Sequence, residues 1–174
     1  MGRGIKLAIR LFALGLITSA VAGCGFAPVY GERPASAPTQ MALDDVKVAT
    51  IGNRLLGVEM RNNLIDRINP NGEPTSPLYR LEVDLSTQRG GVLVQPDASV
   101  TRYDYTLTAH YKLIGIEKNE ALTSGTISAR ASYNVVESEY ATLIAQQDAG
   151  KRAARSLSDD LSLRIALYFS GQAS

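Results

Sequence analysis

Residues 102–113 read Arg102-Tyr103-Asp104-Tyr105-Thr106-Leu107-Thr108-Ala109-His110-Tyr111-Lys112-Leu113. Every second side chain is aromatic or aliphatic, and those between are polar. A period of two marks a strand with one face on a core and the other in water. An amphipathic helix would repeat every ~3.6 residues instead, so this stretch is a strand in an antiparallel sheet covered on one side.

The same alternation continues on both sides. Upstream, Tyr79, Leu81, Val83 and Leu85 share one face, and Arg80, Glu82, Asp84 and Ser86 the other. The apolar phase is odd up to Leu85 and even at Val92 and Val94, so a β-bulge is expected at Gly90-Gly91. Pro96-Asp97-Ala98-Ser99 reads as the turn. Downstream, a turn near Glu117-Lys118-Asn119 leads to Ile127, Ala129, Ala131, Tyr133 and Val135, opposed by Thr126, Ser128, Arg130, Ser132 and Asn134.

Two helices complete the pattern. Leu56, Met60, Leu64 and Ile68 recur every four residues behind an Asn53 N-cap, and Asn69-Pro70-Asn71-Gly72 stops the run. A short strand over 45–51 precedes them. Ser138 caps a second helix expected over 139–169, with Tyr140, Leu143, Ile144, Ala153, Ala154, Leu157, Leu161, Ile165 and Tyr168 as its stripe. Gly150 is its weak point, costing ~1 kcal/mol relative to alanine. The order β-α-β-β-β-α predicts an α+β fold: a two-layer sandwich with an about four-stranded, mostly antiparallel sheet and two helices on one face. The other sheet face is expected to be solvated or turned to a partner.

The N-terminal end has a different character. Arg3, Lys6 and Arg10 precede an apolar stretch from Leu11 to Val21, then Val21-Ala22-Gly23-Cys24. The stretch is too short to span a bilayer, which takes ~20 residues. It has the regions of a cleaved export signal. A small-residue site ending in the chain's single cysteine reads as a bacterial lipobox, with Cys24 the lipidated first residue. A plain secretory signal cut at the same place and an ordinary cytosolic thiol are the alternatives. The expected domains are a signal peptide at 1–23, a lipidated N-terminus and tether at 24–44, and an α+β domain at 45–174. Pro28, Pro34 and Pro38 favour extended chain over 25–42.

Beyond residue 23, fifteen basic residues face seventeen acidic ones, a formal charge of −2. That leaves no basic excess to suggest a nucleic-acid partner. With one cysteine, an internal disulfide cannot form. His110 is the only histidine, which excludes a Cys/His zinc site, and any Ser-His-Asp arrangement would have to use it. Its mid-strand place on the polar face favours a solvated or cross-strand-paired imidazole. Asp44-Asp45 and Asp159-Asp160 read as surface charge, and Gly90-Gly91 lacks the helix and lysine of a phosphate loop. No catalytic residue, metal or cofactor is expected. Arg80, Arg102, Lys112 and Arg130 project from the polar face, with Arg89 beside the glycine pair. Arginine suits bidentate phosphate contacts. Glu82 and Asp104 on the same face supply the competing explanation, cross-strand ion pairs.

Cys24-Gly25-Phe26-Ala27-Pro28-Val29-Tyr30-Gly31 resembles the mature start of the LptE family, outer-membrane lipopolysaccharide-assembly lipoproteins, in its alphaproteobacterial form. Only those eight residues are motif-specific; the rest is similar in length and element order. The resemblance implies a non-enzymatic lipoprotein of the outer membrane, lipid-anchored at Cys24 and facing the periplasm. It implies a plug that helps assemble the LptD-type β-barrel and assists lipopolysaccharide delivery. The polar face of the 78–113 hairpin suits a water-lined barrel interior. Lipopolysaccharide contacts at Arg80, Arg89, Arg102, Lys112 and Arg130 are inferred from their charge. An auxiliary lipoprotein of another envelope lipid or ABC-type transport system is the alternative reading, and a lone lipid- or peptidoglycan-binding module a third.

Overall fold

Period-two segments pair into one sheet, and period-four segments lie across it. The computed structural model describes residues 37–52, 54–92 and 101–172. The lipobox, Cys24, Asn53 and the turn at 96–99 fall outside them. In chain order the elements are α1 (Ala37–Asp44), β1 (Val46–Val48), α2 (Arg54–Ile68), β2 (Tyr79–Val92), β3 (Thr101–Gly115), β4 (Glu120–Val135) and α3 (Glu139–Gln172). The sheet order is β1-β2-β3-β4. β1 runs parallel to β2, and the other two pairings are antiparallel. The fold is the expected α+β sandwich with a mostly antiparallel sheet, joined by a third, short helix.

One sheet face is covered. Leu81, Leu107, Ala109 and Leu113 are fully buried, as are Met60, Leu64 and Ile68 of α2 and Leu157, Leu161 and Ile165 of α3. Burying each large aliphatic side chain contributes ~1.5–3 kcal/mol. Ser158 lies at the crossing of the two long helices; its Oγ donates to the carbonyls of Ala154 (2.9 Å) and Met60 (3.3 Å). Ser138 caps α3 as expected, its Oγ accepting from the Ala141 amide at 3.3 Å. Gly150 works differently from the sequence reading. It is buried, and a Cβ there would meet Leu56 Cδ2 at 3.1 Å and Tyr105 Cζ at 3.5 Å. Because a leucine end can move aside, Gly150→Ala should leave urea-unfolding stability within ~0.5 kcal/mol of the parent, helix propensity offsetting the crowding.

Four local expectations are corrected. Residues 37–44, read as tether, form α1; Pro38 sits in its first turn, where a missing N–H costs nothing. Its Leu43 enters the core, and Asn69 Nδ2 donates to the Leu43 carbonyl at 3.1 Å. The bulge is not at Gly90-Gly91: β2 and β3 pair in one unbroken register from Tyr79↔Gly115 to Val92↔Arg102. From Ser86 to Gly91 every residue of β2 is exposed, so no covered face had a phase to restore. A register shift lies instead where Leu113 and Ile114 meet β4. Of the first ten residues of α3, Ala145 packs against the core while Tyr140 (74%), Leu143 (49%) and Ile144 (44%) are exposed, and Phe169 rather than Tyr168 closes the buried stripe.

Candidate functional site: the open sheet face

Because side chains alternate along a strand, the even-numbered residues of β2 from Arg80 to Gln88 and of β3 from Arg102 to Lys112 project from the uncovered face. The register places them in rows with β4. Glu82, Lys112 and Ser124 form one row; Asp84, His110 and Thr126 the next; then Ser86, Thr108 and Ser128; then Gln88, Thr106 and Arg130. These four rows hold no apolar side chain. Their commonest groups are hydroxyls, which both donate and accept. His110 Nδ1 lies 2.8 Å from Thr126 Oγ1, so the imidazole is cross-strand paired.

Four of the five candidate cations lie on this face, spread along it. Arg80 and Lys112 are near one end. Lys112 lies six positions along β3 from Thr106, the register partner of Arg130, a span of ~20 Å. Arg102 is four residues further, another ~14 Å. Arg89 departs from the group. With no bulge, its odd number puts it on the helix side, where its Nη1 donates to Gln146 of α3 at 3.3 Å. Two of the others are partly engaged. Arg80 pairs with Glu82 at 2.9 Å, and Arg130 lies 3.5 Å from Asp104, which also accepts from Ser132 Oγ at 2.7 Å. Arg102 and Lys112 make no ion pair with a described residue.

A shallow concavity of about 640 Å³ opens on this face. Thr50, Glu82, Asp84, His110, Lys112, Ser124 and Thr126 contribute to its wall. It forms where β1 stops after three residues and uncovers the edge of β2. Sequence reasoning weighed the cations one by one and missed this hollow. The legible signal was the run of Ser and Thr at even positions, which only the register assembles into a surface. Among the described residues no cluster of His, Cys, Asp and Glu could hold a metal ion. No described helix is long and apolar enough to cross a membrane.

A sheet with one face sealed by helices and the other bare and polar defines a two-layer α+β module. The comparisons with known proteins name its kind. The chain belongs to the LptE family, described as lipopolysaccharide-assembly, which it matches over residues 41–165. That family is one of non-enzymatic accessory lipoproteins of the envelope. An uncharacterized protein of Rickettsia prowazekii (strain Madrid E) is 26% identical over 149 residues, 86% of this chain and 90% of that one. Among crystal structures, a candidate lipoprotein of Caulobacter crescentus CB15 is similar with a TM-score of 0.63 and 22% identity, covering 78% of this chain and 98% of that one. The rare lipoprotein B of Shewanella oneidensis gives 0.53 and 14% identity, covering 74% of this chain and 98% of that one. These two likenesses establish the fold.

Proposed function

We propose that the chain is the lipoprotein subunit of an outer-membrane lipopolysaccharide translocon. It is lipidated at Cys24, faces the periplasm, plugs and helps assemble an LptD-type β-barrel, and assists lipopolysaccharide insertion into the outer leaflet. Family membership supports the lipopolysaccharide-assembly role. The observation that carries the plug reading is the open face: four consecutive rows of polar side chains on three long strands, uncovered by any described helix. A large barrel has a polar, watery interior, and such a face can enter it without burying apolar groups against water. Stable anchoring takes more than one acyl chain, which triacylation of Cys24 would supply.

The test is a pull-down of the full-length protein from its own outer membrane, with mass spectrometry of what accompanies it. The expected result is a large β-barrel at near one-to-one ratio. Recovery of inner-membrane transporter subunits, or of nothing, overturns the proposal.

Lipopolysaccharide contact is proposed for the open-face cations, with Arg102 and Arg130 as the pair to alter. They share a face, ~14 Å apart, and both are exposed. Exposed charge contacts contribute ~0.5–1 kcal/mol each. Reversing both to glutamate should therefore weaken lipopolysaccharide binding roughly five- to thirty-fold with unchanged circular dichroism. Reversal of Arg89, on the other face, should leave binding within about twofold. Equal losses from both changes would count against an open-face site.

A further inference from the structure

The hollow on the open face has a chemistry of its own. Its floor is a grid of six side chains on three strands: Glu82 and Asp84 of β2, Lys112 and His110 of β3, Ser124 and Thr126 of β4. The grid measures ~9.6 Å across the strands and ~6.8 Å along them. Thr50, just past the end of β1, adds to the wall. The volume of about 640 Å³ lies within the ~300–1,000 Å³ range of small-molecule sites. Three kinds of ligand do not suit this lining. An apolar ligand would meet polar side chains across the whole grid. A divalent cation has no cluster of His, Cys, Asp and Glu among the described residues to hold it. A phosphate finds no net positive charge, because Glu82 already engages Arg80 at 2.9 Å and Asp84 offsets Lys112.

What the grid offers is both halves of many hydrogen bonds. The Asp84 carboxylate and the Lys112 ammonium sit diagonally in neighbouring rows, and neither has a hydrogen-bond or ion-pair partner among the described residues. The first accepts only, the second donates only, and the Ser124 and Thr126 hydroxyls do both. His110 uses Nδ1 on Thr126 at 2.8 Å, and its Nε2 has no described partner. We propose that the hollow is a saccharide site, in which neighbouring hydroxyls of a sugar donate to Asp84 and accept from Lys112. A neutral sugar is not repelled by the carboxylates, and each of its hydroxyls donates and accepts. The two oxygens of a carboxylate suit a pair of adjacent hydroxyls. The site is separate from the phosphate contacts proposed for Arg102 and Arg130, which stand ~20 Å or more along the face from Lys112. The inference rests on the lipopolysaccharide reading for the source of the sugar. A lipopolysaccharide carries both saccharide and phosphate, and the open face then receives them at different places.

The experiment titrates the full-length chain in detergent with sugar and follows backbone amide shifts by nuclear magnetic resonance. The first probe is lipopolysaccharide core oligosaccharide freed of lipid and phosphate. The second is a peptide-free disaccharide of the cell-wall glycan. Saturable shifts at Asp84, His110, Lys112 and Ser124 are expected with the first. A response to the second alone supports the saccharide site and moves its source to the wall. Asp84→Asn should weaken sugar binding about tenfold, and Asp160→Asn on α3 should leave it unchanged, with circular dichroism unaltered in both. The sign separates a sugar from an anion, since a phosphate site would tighten once the carboxylate is gone. Saturable shifts with neither sugar overturn the proposal. So do shifts at these amides with inorganic phosphate alone, or an Asp84→Asn protein that binds sugar as tightly as the parent. The titration needs no barrel, so a pull-down that recovers none overturns the translocon reading and leaves the sugar site to its own test.

Discussion

Gly57→Ala should destabilise the domain by about 3 kcal/mol, read as a lower urea midpoint at unchanged slope. Helix propensity alone expects the opposite sign. Gly57 lies inside α2, where replacing glycine with alanine normally gains ~1 kcal/mol. The fold overrules propensity because the chain leaving β1 doubles back over the start of α2. A Cβ on Gly57 would meet the carbonyl oxygens of both Ile51 and Gly52 at 2.4 Å. Those are backbone atoms, and Ile51 is held in the core at 5% exposure, so neither can yield cheaply. The contrast with Gly150 is instructive. Both glycines are in helices, but one faces a movable leucine end and the other a wall of carbonyls. A Gly57→Ala protein as stable as the parent would show that the 51–52 turn does not sit on this helix.

The second large effect is expected at Leu107. It is fully buried in the middle of β3, with Thr87 and Ala129 as its register partners. Truncating a buried leucine to alanine costs ~2–5 kcal/mol, and the cost rises with the void that remains. Here the flanking side chains are short, and neither can reach into the space. The loss should fall in the upper half of that range, a large part of the ~5–15 kcal/mol that holds a domain folded. Thr108→Ala, one residue along but on the open face, should change stability by no more than ~0.5 kcal/mol. Equal losses at the two positions would contradict the assignment of faces.

Much of this could be read from the residues, for a physical reason. Alternation in β3 and the four-residue spacing of Leu56, Met60, Leu64 and Ile68 report burial directly, and both survive in the structure. Where burial stops, so does the signal. The expected bulge at Gly90-Gly91 assumed that the apolar phase had to be kept, yet that half of β2 is exposed on both faces. The same assumption hid the side on which Arg89 stands. Tyr140, Leu143 and Ile144 obey helical spacing but stand exposed. α1 was masked by its proline, which is harmless in a first turn and disruptive elsewhere. The open face was legible as a list of polar residues and not as a surface. Which of them neighbour one another is set by register, and nothing local in the sequence encodes it.

The uneven cover of β2 has a consequence for motion. Its first three residues, Tyr79 to Leu81, lie between β1 and β3, and burial under the helices continues to Val83. Its second half holds to β3 alone, with the Arg89–Gln146 contact as the one described side-chain link to α3. Amide protection against solvent deuterium should therefore fall along this single strand, from Leu81, which exchanges only when the whole domain opens, towards Gly91, which exchanges by local fraying. Along the described strand a firmly held stem thus passes into a half with one neighbour, which can open locally while the core stays shut.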